Sequence, residues 1–543
     1  MKVRKSYLLM MATFFTASMI LFSLVAYAEP QALPELSEEE LAALYPDAPY
    51  PKLHYKWDKL YQGETWKPKP EDVPKWQQFA GETVYVATEN TPPSLGMYNI
   101  LDDFTKLTGM KVDITLDLID ELKEKIFLDL RSGAGGYHVN YGQTAPIGTQ
   151  AAEFWSPINM FADMRTGKSL FPDLPDIPDI PEGTTVYDAF TAGNVDYGAK
   201  IYSPDIWIGM PYDTAMYHMF YRKDLFEKYN DKFIQEYGKP LVIEGMGEYL
   251  TWDDWYDMSV FFNKYVTEVD YAMGFVNAQN WAINLNFQTL LRAWGVKNNG
   301  FEKLDPVLGS RDPGRFLDYS AVEYKKALDS LIFFKKLYDE MHPDSVVWGW
   351  DETGNALCTE KVAMLYQCGE YVPIVEDPTK SMVAGRVGYA VVPTGPGGAH
   401  AYAVGAAPIA VNATIPLKEQ KKGYLYVLWT TGPVAQHKSF EQFSGTPVRG
   451  TVYEYARKRG WDYYTEDGQR VVGIYLKVQE KQSTAYVDDW VVTKIPTFTK
   501  YLEITGGNIS KALVGRLTPK AALDDMITRL NRLHGYPVEI PKI

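Results

Sequence analysis

From Gly81 onward the spacing of apolar positions switches repeatedly between period two and period 3.6. "TVYVATE" (83–89) reads as a strand, and a loop holding Pro92 and Pro93 follows. A helix then places Leu101, Phe104 and Leu107 on one face, with Gly109 positioned to cap its end. In "KVDITLD" (111–117) Val112, Ile114 and Leu116 alternate with polar neighbours, which predicts a second strand. "LIDELKEKIFLDLRSGAGG" predicts a helix ending in glycines, and "YHVNY" a third strand. Strand, helix, strand, helix, strand in this order predicts an α/β sheet with parallel crossovers. Ligands of such sheets sit beyond the carboxyl ends of the strands. That rule points to Glu89, Asn90 and Thr91 after the first strand, and to Gly142, Gln143 and Thr144 after the third.

The middle of the chain repeats the texture. "YHMFYRKDLFEKY" (217–229) runs from an apolar strand straight into a charged helix start, and "TWDDWYDMSVFFNKYV" opens another helix. Thr251 and Asp254 fit an N-cap pair there, so the adjacent acids Asp253 and Asp254 serve the helix dipole rather than catalysis. "SAVEYKKALDSLIFFKKLYDEMHP" is a helix opened by a capping box of Ser320 and Glu323 and stopped by Pro343. "KVAMLY", "VGYAVVP" and the stretch after "TGPGGAH" are later strands. Residues 29–80 are rich in Pro, Trp and Tyr, which rules out long regular elements and suggests an extension laid over a domain surface.

Length and charge narrow the picture. A chain of 543 residues is long enough for two or three domains. The first residues combine Lys2, Arg4 and Lys5 with an apolar run and the small-x-small site Ala26-Tyr27-Ala28, which predicts a signal peptide over 1–28, cut after Ala28 or else retained as an anchor. No cysteine near the cut supports a lipid anchor. Without those three positive charges the net charge of −15 becomes −18, a poor partner for phosphate backbones, so nucleic acid is excluded. Cys358 and Cys368 flank a predicted strand that would hold them roughly 20 Å apart at ~3.3 Å per residue. A bridge needs Cα atoms within about 7 Å, so two buried free thiols are expected.

Catalytic signatures are scarce. The seven histidines show no close metal-ligand spacing, "ADMRTGKS" has Ala162 where a phosphate loop needs glycine, and no nucleophile elbow occurs. No catalytic residue, metal or cofactor is expected. Aromatics at 14% and amides at loop positions suit sugars, whose rings offer apolar faces and polar rims.

Ordered motifs then define a resemblance. "IGMPYDTAMYHMFYRKDLFEKY" with "LTWDDWYDM", "FTKLTGMKVDI", "LDLRSGAGGYHVNY", "ALCTEKVAMLYQCGEY", "VGYAVVPTGPGGAHAYAVGAAPIAV" and "GTPVRGTVYE" together resemble family 1 extracellular solute-binding proteins, the maltose-binding type of ABC importers, over about residues 81–460. His138 departs from that pattern, which has Asp at the position. The resemblance implies a two-lobed α/β fold of the type II periplasmic-binding kind, with a ligand cleft between lobes joined by crossing strands. It implies lobe 1 over 81–211 and 398–435, and lobe 2 over 212–397 and 436–543. The binding set carried over is Glu89, Asn90, Gln143, Thr144, Asp213, Thr214, Trp281, Asn284, Glu370, Tyr371 and Arg449, with Tyr371 stacking on a sugar ring. The implied role is a periplasmic or otherwise extracytoplasmic monomer that delivers a carbohydrate, an oligosaccharide in size, to ABC permease subunits. An exported carbohydrate-active enzyme with an aromatic cleft is the alternative.

Overall fold

The computed structural model describes Trp57 and residues 60–541, apart from 280, 443–444, 466–467, 469, 487–489 and 492. The signal sequence expected over 1–28 lies outside the described residues. The strands that place the site are β1 (Thr83–Glu89), β2 (Lys111–Asp117), β3 (Val139–Tyr141), β4 (Trp155–Ser156), β5 (Met210–Arg222), β6 (Tyr271–Phe275), β7 (Val362–Cys368), β8 (Val387–Ala390) and β9 (Tyr402–Asn412). They join one sheet in the order β2-β1-β3-β9-β5-β7-β6, with β4 on β9 and β8 on β5.

The first three strands match the alternation read from sequence. β1 pairs in parallel with β2 from Thr83 opposite Lys111 to Glu89 opposite Asp117, and with β3 at Val86 opposite Val139. Their crossovers are the helices Leu101–Thr108 and Ile119–Ser132. Gly109 ends the first of these at φ +71°, a left-handed conformation that a side chain would strain, and its N–H reaches the Thr105 carbonyl at 2.8 Å.

The long strands β5 and β9 hold the molecule together. They run antiparallel from Met210 opposite Ile409 to Met216 opposite Val404, with a register shift between Pro211 and Asp213. Every residue of both strands is buried. Beyond Met216 β5 leaves β9 and pairs with β7 from Tyr217 opposite Cys368 to Tyr221 opposite Met364, and with β8 from Met219 to Arg222. Each strand therefore feeds two cores. Met210, Tyr212, Ile409 and Val411 pack in the first with Val84 and Val86. Ala215, Met216, Val404 and Ala406 pack in the second, with Leu331 and the C-terminal residues Phe498 and Met526. A third cluster, including Phe220, Leu365 and Tyr475, covers the other face of the second lobe.

The first core also takes in Trp57, Tyr61, Trp76 and Phe79. The described part of residues 29–80 lies over the first lobe, with these aromatics anchored in the core while Leu60, Gln62, Lys67 and Glu71 stay exposed. Trp57 Nε1 donates to the Asp188 carbonyl at 2.6 Å, and the Asp179 carboxylate accepts the Gln62 and Gly63 N–H groups at 3.0 and 2.9 Å. Val448 joins this same core, so the chain touches the first lobe again beyond residue 435.

Two helix starts differ from each other. Thr251 and Asp254 form a complete capping box, and Asp254 also ion-pairs with Lys239. Ser320 accepts the Glu323 N–H at 3.4 Å, but the Glu323 carboxylate turns away to the Lys297 N–H at 2.8 Å and to Lys326. The box expected there is half formed, because a tertiary donor outcompetes the local one. That helix ends at Tyr338, ahead of Pro343. Cys358, ahead of β7, and Cys368, its last residue, are buried free thiols.

Candidate functional site: a cleft between the two lobes

The carboxyl ends of β1, β3 and β7 converge on a cleft of about 670 Å³, within the usual span of small-molecule sites. The first lobe contributes Glu89 and Asn90 from the end of β1, Leu95 and Asn99 from the following helix Pro92–Asn99, and Gln143 from beyond β3. The second lobe contributes Tyr217 of β5, Trp281 at the start of the helix Trp281–Ala293, and Trp350 at the start of the helix Trp350–Cys358. Glu370, just after β7, closes the floor. Leu95 and Leu118 stay exposed at the first lobe's rim, which leaves apolar surface available to a ligand.

Trp350 is fixed from behind. Its Nε1 donates to Cys368 Sγ at 2.8 Å, and its ring meets Tyr371 edge-on at 4.6 Å. Tyr371 can occupy that place because Gly354 carries no side chain; a Cβ there would lie 2.0 Å from the Tyr371 ring. The Tyr371 hydroxyl lies 3.1 Å from Asn355 Oδ1 and 3.3 Å from the Asp351 carbonyl.

The floor is acidic. Burial, then the charge of Asp213, pushes Glu370 well above the ordinary carboxylate range. Burial raises Asp213 as well, against the hydrogen bonds that Thr446 and Tyr141 donate to it. Glu89 is pushed up to about 8, first by burial, against a hydrogen bond from Tyr141 and with Asp213 adding to the rise. Its side chain still opens to the cleft, so solvent moderates that shift. Burial also raises the Cys368 thiol, which lies 3.3 Å from Glu370 Oε2. Several buried polar atoms along the cleft have no partner: Tyr217 Oη, Gln143 Oε1 and Thr91 Oγ1. Unpaired buried groups cost about 1–3 kcal/mol each, which a ligand could recover. Among the described residues no group of three or more His, Cys, Asp or Glu is placed to hold a metal ion.

Of the residues read from sequence, Glu89, Asn90, Gln143, Trp281 and Glu370 line the cleft together. Asp213 lies one layer behind, where Tyr141 and Thr446 donate to its carboxylate. Four residues serve the fold instead. Thr144 donates to the Ala406 carbonyl of β9, and Thr214 to Asn194 Oδ1. Asn284 accepts from Thr505, which ties its helix to Phe498–Leu513. Arg449 is buried in the first lobe, where it donates to the Thr431 carbonyl at 2.7 Å and the Pro178 carbonyl at 3.2 Å and lies 4.4 Å from the Phe190 ring centre. Burial pushes its guanidinium down to about 10. Tyr371 stands behind Trp350, so the ring offered to a ligand at this place is Trp350. Sequence reasoning passed over Trp350 and Tyr217. A tryptophan directly after Gly349 and before the acids of a helix start was the available signal for the first; nothing marked the second among the apolar and aromatic residues around it.

A partner-hungry cleft between two lobes, crossed by two continuous strands, defines a two-lobed ligand-binding protein. Residues 87–436 match the bacterial extracellular solute-binding protein family, and the chain belongs to that family. Solved structures agree in fold. An ABC transporter solute-binding protein of Agrobacterium radiobacter K84 in complex with ribitol is similar at TM-score 0.64 and 18% identity, covering 84% of this chain and 99% of that one. Maltose-bound MalE3 of T. maritima is similar at TM-score 0.64 and 15% identity, covering 83% and 100%. A solute-binding protein of Agrobacterium vitis S4 with bound D-mannitol is similar at TM-score 0.62 and 19% identity, covering 84% and 100%. No curated protein matches this sequence.

Proposed function

We propose that the protein captures a carbohydrate outside the cytoplasmic membrane and hands it to the permease subunits of an ABC importer, working as a monomer exported by the signal sequence at 1–28. One observation carries the carbohydrate reading: Trp281 and Trp350 of the second lobe share a cleft with the amides Asn90, Asn99 and Gln143 of the first and with the unpartnered hydroxyls of Thr91 and Tyr217. Rings with CH faces and hydroxyl rims satisfy both kinds of surface at once. The volume leaves room for more than one sugar ring, in keeping with an oligosaccharide. Ribitol, maltose and mannitol in the similar proteins support the same class. Closure about the crossing strands would bring both halves of the lining onto the solute, and the solute would favour the closed form by the difference in contacts.

The enzyme alternative is weakened by the floor itself. A glycosidase holds its two carboxyls about 5–9.5 Å apart across the scissile bond. Glu370 lines the cleft while Asp213 is buried behind it, so these two do not face each other across a scissile bond. Titration calorimetry against mono- and oligosaccharides, with chromatography of the recovered sugar, tests the proposal. Binding with unchanged sugar is expected; shortened products would overturn the transport reading.

A further inference from the structure

The cleft is one-sided in charge and in hydrogen bonding. Five carboxylates line it, Glu89, Asp120, Glu121, Asp351 and Glu370, against a single lysine. That lysine, Lys380, is already ion-paired with Asp377 at 3.1 Å. Asp120 has Lys123 at 3.2 Å, but among the described residues no lysine or arginine pairs with Glu89, Asp351 or Glu370. The strongest donors are committed as well, since Trp350 Nε1 is given to Cys368. Acceptors are in surplus: Gln143 Oε1, in a side chain 7% exposed, and Glu370 Oε1, in one 4% exposed, have no hydrogen-bond partner. Tyr217 Oη, in a side chain 1% exposed, is unpartnered as well and can accept or donate.

A neutral sugar hydroxyl brings one donor and also brings acceptors. It could satisfy one carboxyl, but it leaves in place the burial and the neighbouring acids that push Glu89 and Glu370 up. An ammonium brings three donors, no acceptor and a positive charge that would let these carboxyls ionise. Aromatic rings such as Trp281 and Trp350 favour a cation beside them as well.

We propose that the solute carries a positively charged amine, seated between Glu89 and Glu370 and beside the aromatic lining. This rests on the carbohydrate reading for the rest of the solute, which would make it an amino sugar or a saccharide bearing one. The ammonium alone could instead come from a sugarless polyamine, and the probes separate the two.

Titration calorimetry on the whole protein should compare four probes: the glucosamine disaccharide, its N,N′-diacetyl form, cellobiose and spermidine. The free-amine disaccharide should bind at least tenfold tighter than the two neutral disaccharides. Glu370→Gln should remove that preference. So should Glu89→Gln, which faces the cleft and keeps the test available if the buried substitution fails to fold by circular dichroism. Equal or tighter binding of the neutral disaccharides overturns the amine inference and leaves the carbohydrate reading standing. Spermidine binding with none of the sugars overturns the carbohydrate reading and upholds the amine. A preference that survives both substitutions, or no binding by any probe, overturns the inference.

Discussion

At the scale of single residues, the cleft separates side chains that touch solute from side chains that hold them there. Trp350 and Tyr371 are in contact, yet their substitutions should read out differently. Trp350→Ala removes an aromatic surface from the cleft and should weaken binding of the tightest saccharide by roughly 1–3 kcal/mol in calorimetry. Tyr371→Phe keeps the ring that backs Trp350 and loses only the hydroxyl's contacts with Asn355 and Asp351. It should leave affinity within about twofold and lower stability by about 1 kcal/mol in urea unfolding. Unchanged affinity in Trp350→Ala would remove that ring from the site. The strand-end rule located Glu89, Asn90 and Gln143, because backbone topology alone carries those positions to the cleft, while Glu370 came with the family resemblance. It could not rank Tyr371 against Trp350. That choice is made by the missing side chain of Gly354, which opens a slot for one ring and leaves the other in front. Arg449 carried no local sign of burial, since its partners at Thr431 and Pro178 are far away in sequence.

At the scale of elements, local pattern was enough wherever a segment makes its own bonds. The first strands, the glycine-capped helices and the Thr251 box were all readable for that reason. Segments whose partners are distant were not. Composition of 29–80 suggested an extension over a surface, but it could not show that Trp57, Tyr61, Trp76 and Phe79 of that extension anchor in the first core, where burial outweighs the lack of regular structure. Lys494 is a second case. Its ammonium is buried and donates to the carbonyls of Lys200 at 3.1 Å, Asp196 at 3.4 Å and Val307. It thereby ties a segment of the first core to the second lobe. Burial pushes it down to about 7, with Asp196 and Asp305 opposing and Lys200 reinforcing the shift. An unfolded lysine keeps its proton to about pH 10.4. Between about pH 7 and 10.4 only the unfolded chain is protonated here, so this group makes stability rise with pH across that window. Below about pH 7 both states hold the proton and the penalty, roughly 3–5 kcal/mol at 1.36 per unit, is fully present. Lys494→Met should flatten the slope of unfolding free energy between pH 7 and 10, whatever its effect on absolute stability. An unaltered slope would show that the ammonium is solvated in the folded protein.

At the scale of the whole molecule, the two lobes cannot be treated as separable bodies. β5 and β9 each place buried residues in both cores and pair with each other across the register shift at Pro211 and Asp213. Unfolding either core strips partners from strands that the other core needs. Scanning calorimetry should therefore give one cooperative transition rather than two. The cleft draws its lining from both lobes, so a bound solute stabilises the same cooperative unit. At a free concentration a hundred times Kd the gain is about 2.7 kcal/mol. With roughly 2 °C per kcal/mol for a large domain, the single midpoint should rise by about 5 °C. Two resolved transitions, of which only one moves with ligand, would mean that the crossing strands act as a loose hinge and that one lobe holds the solute by itself. A single transition that moves as a whole would place the coupling in the paired strands, where closing the lobes and stabilising the fold are the same event.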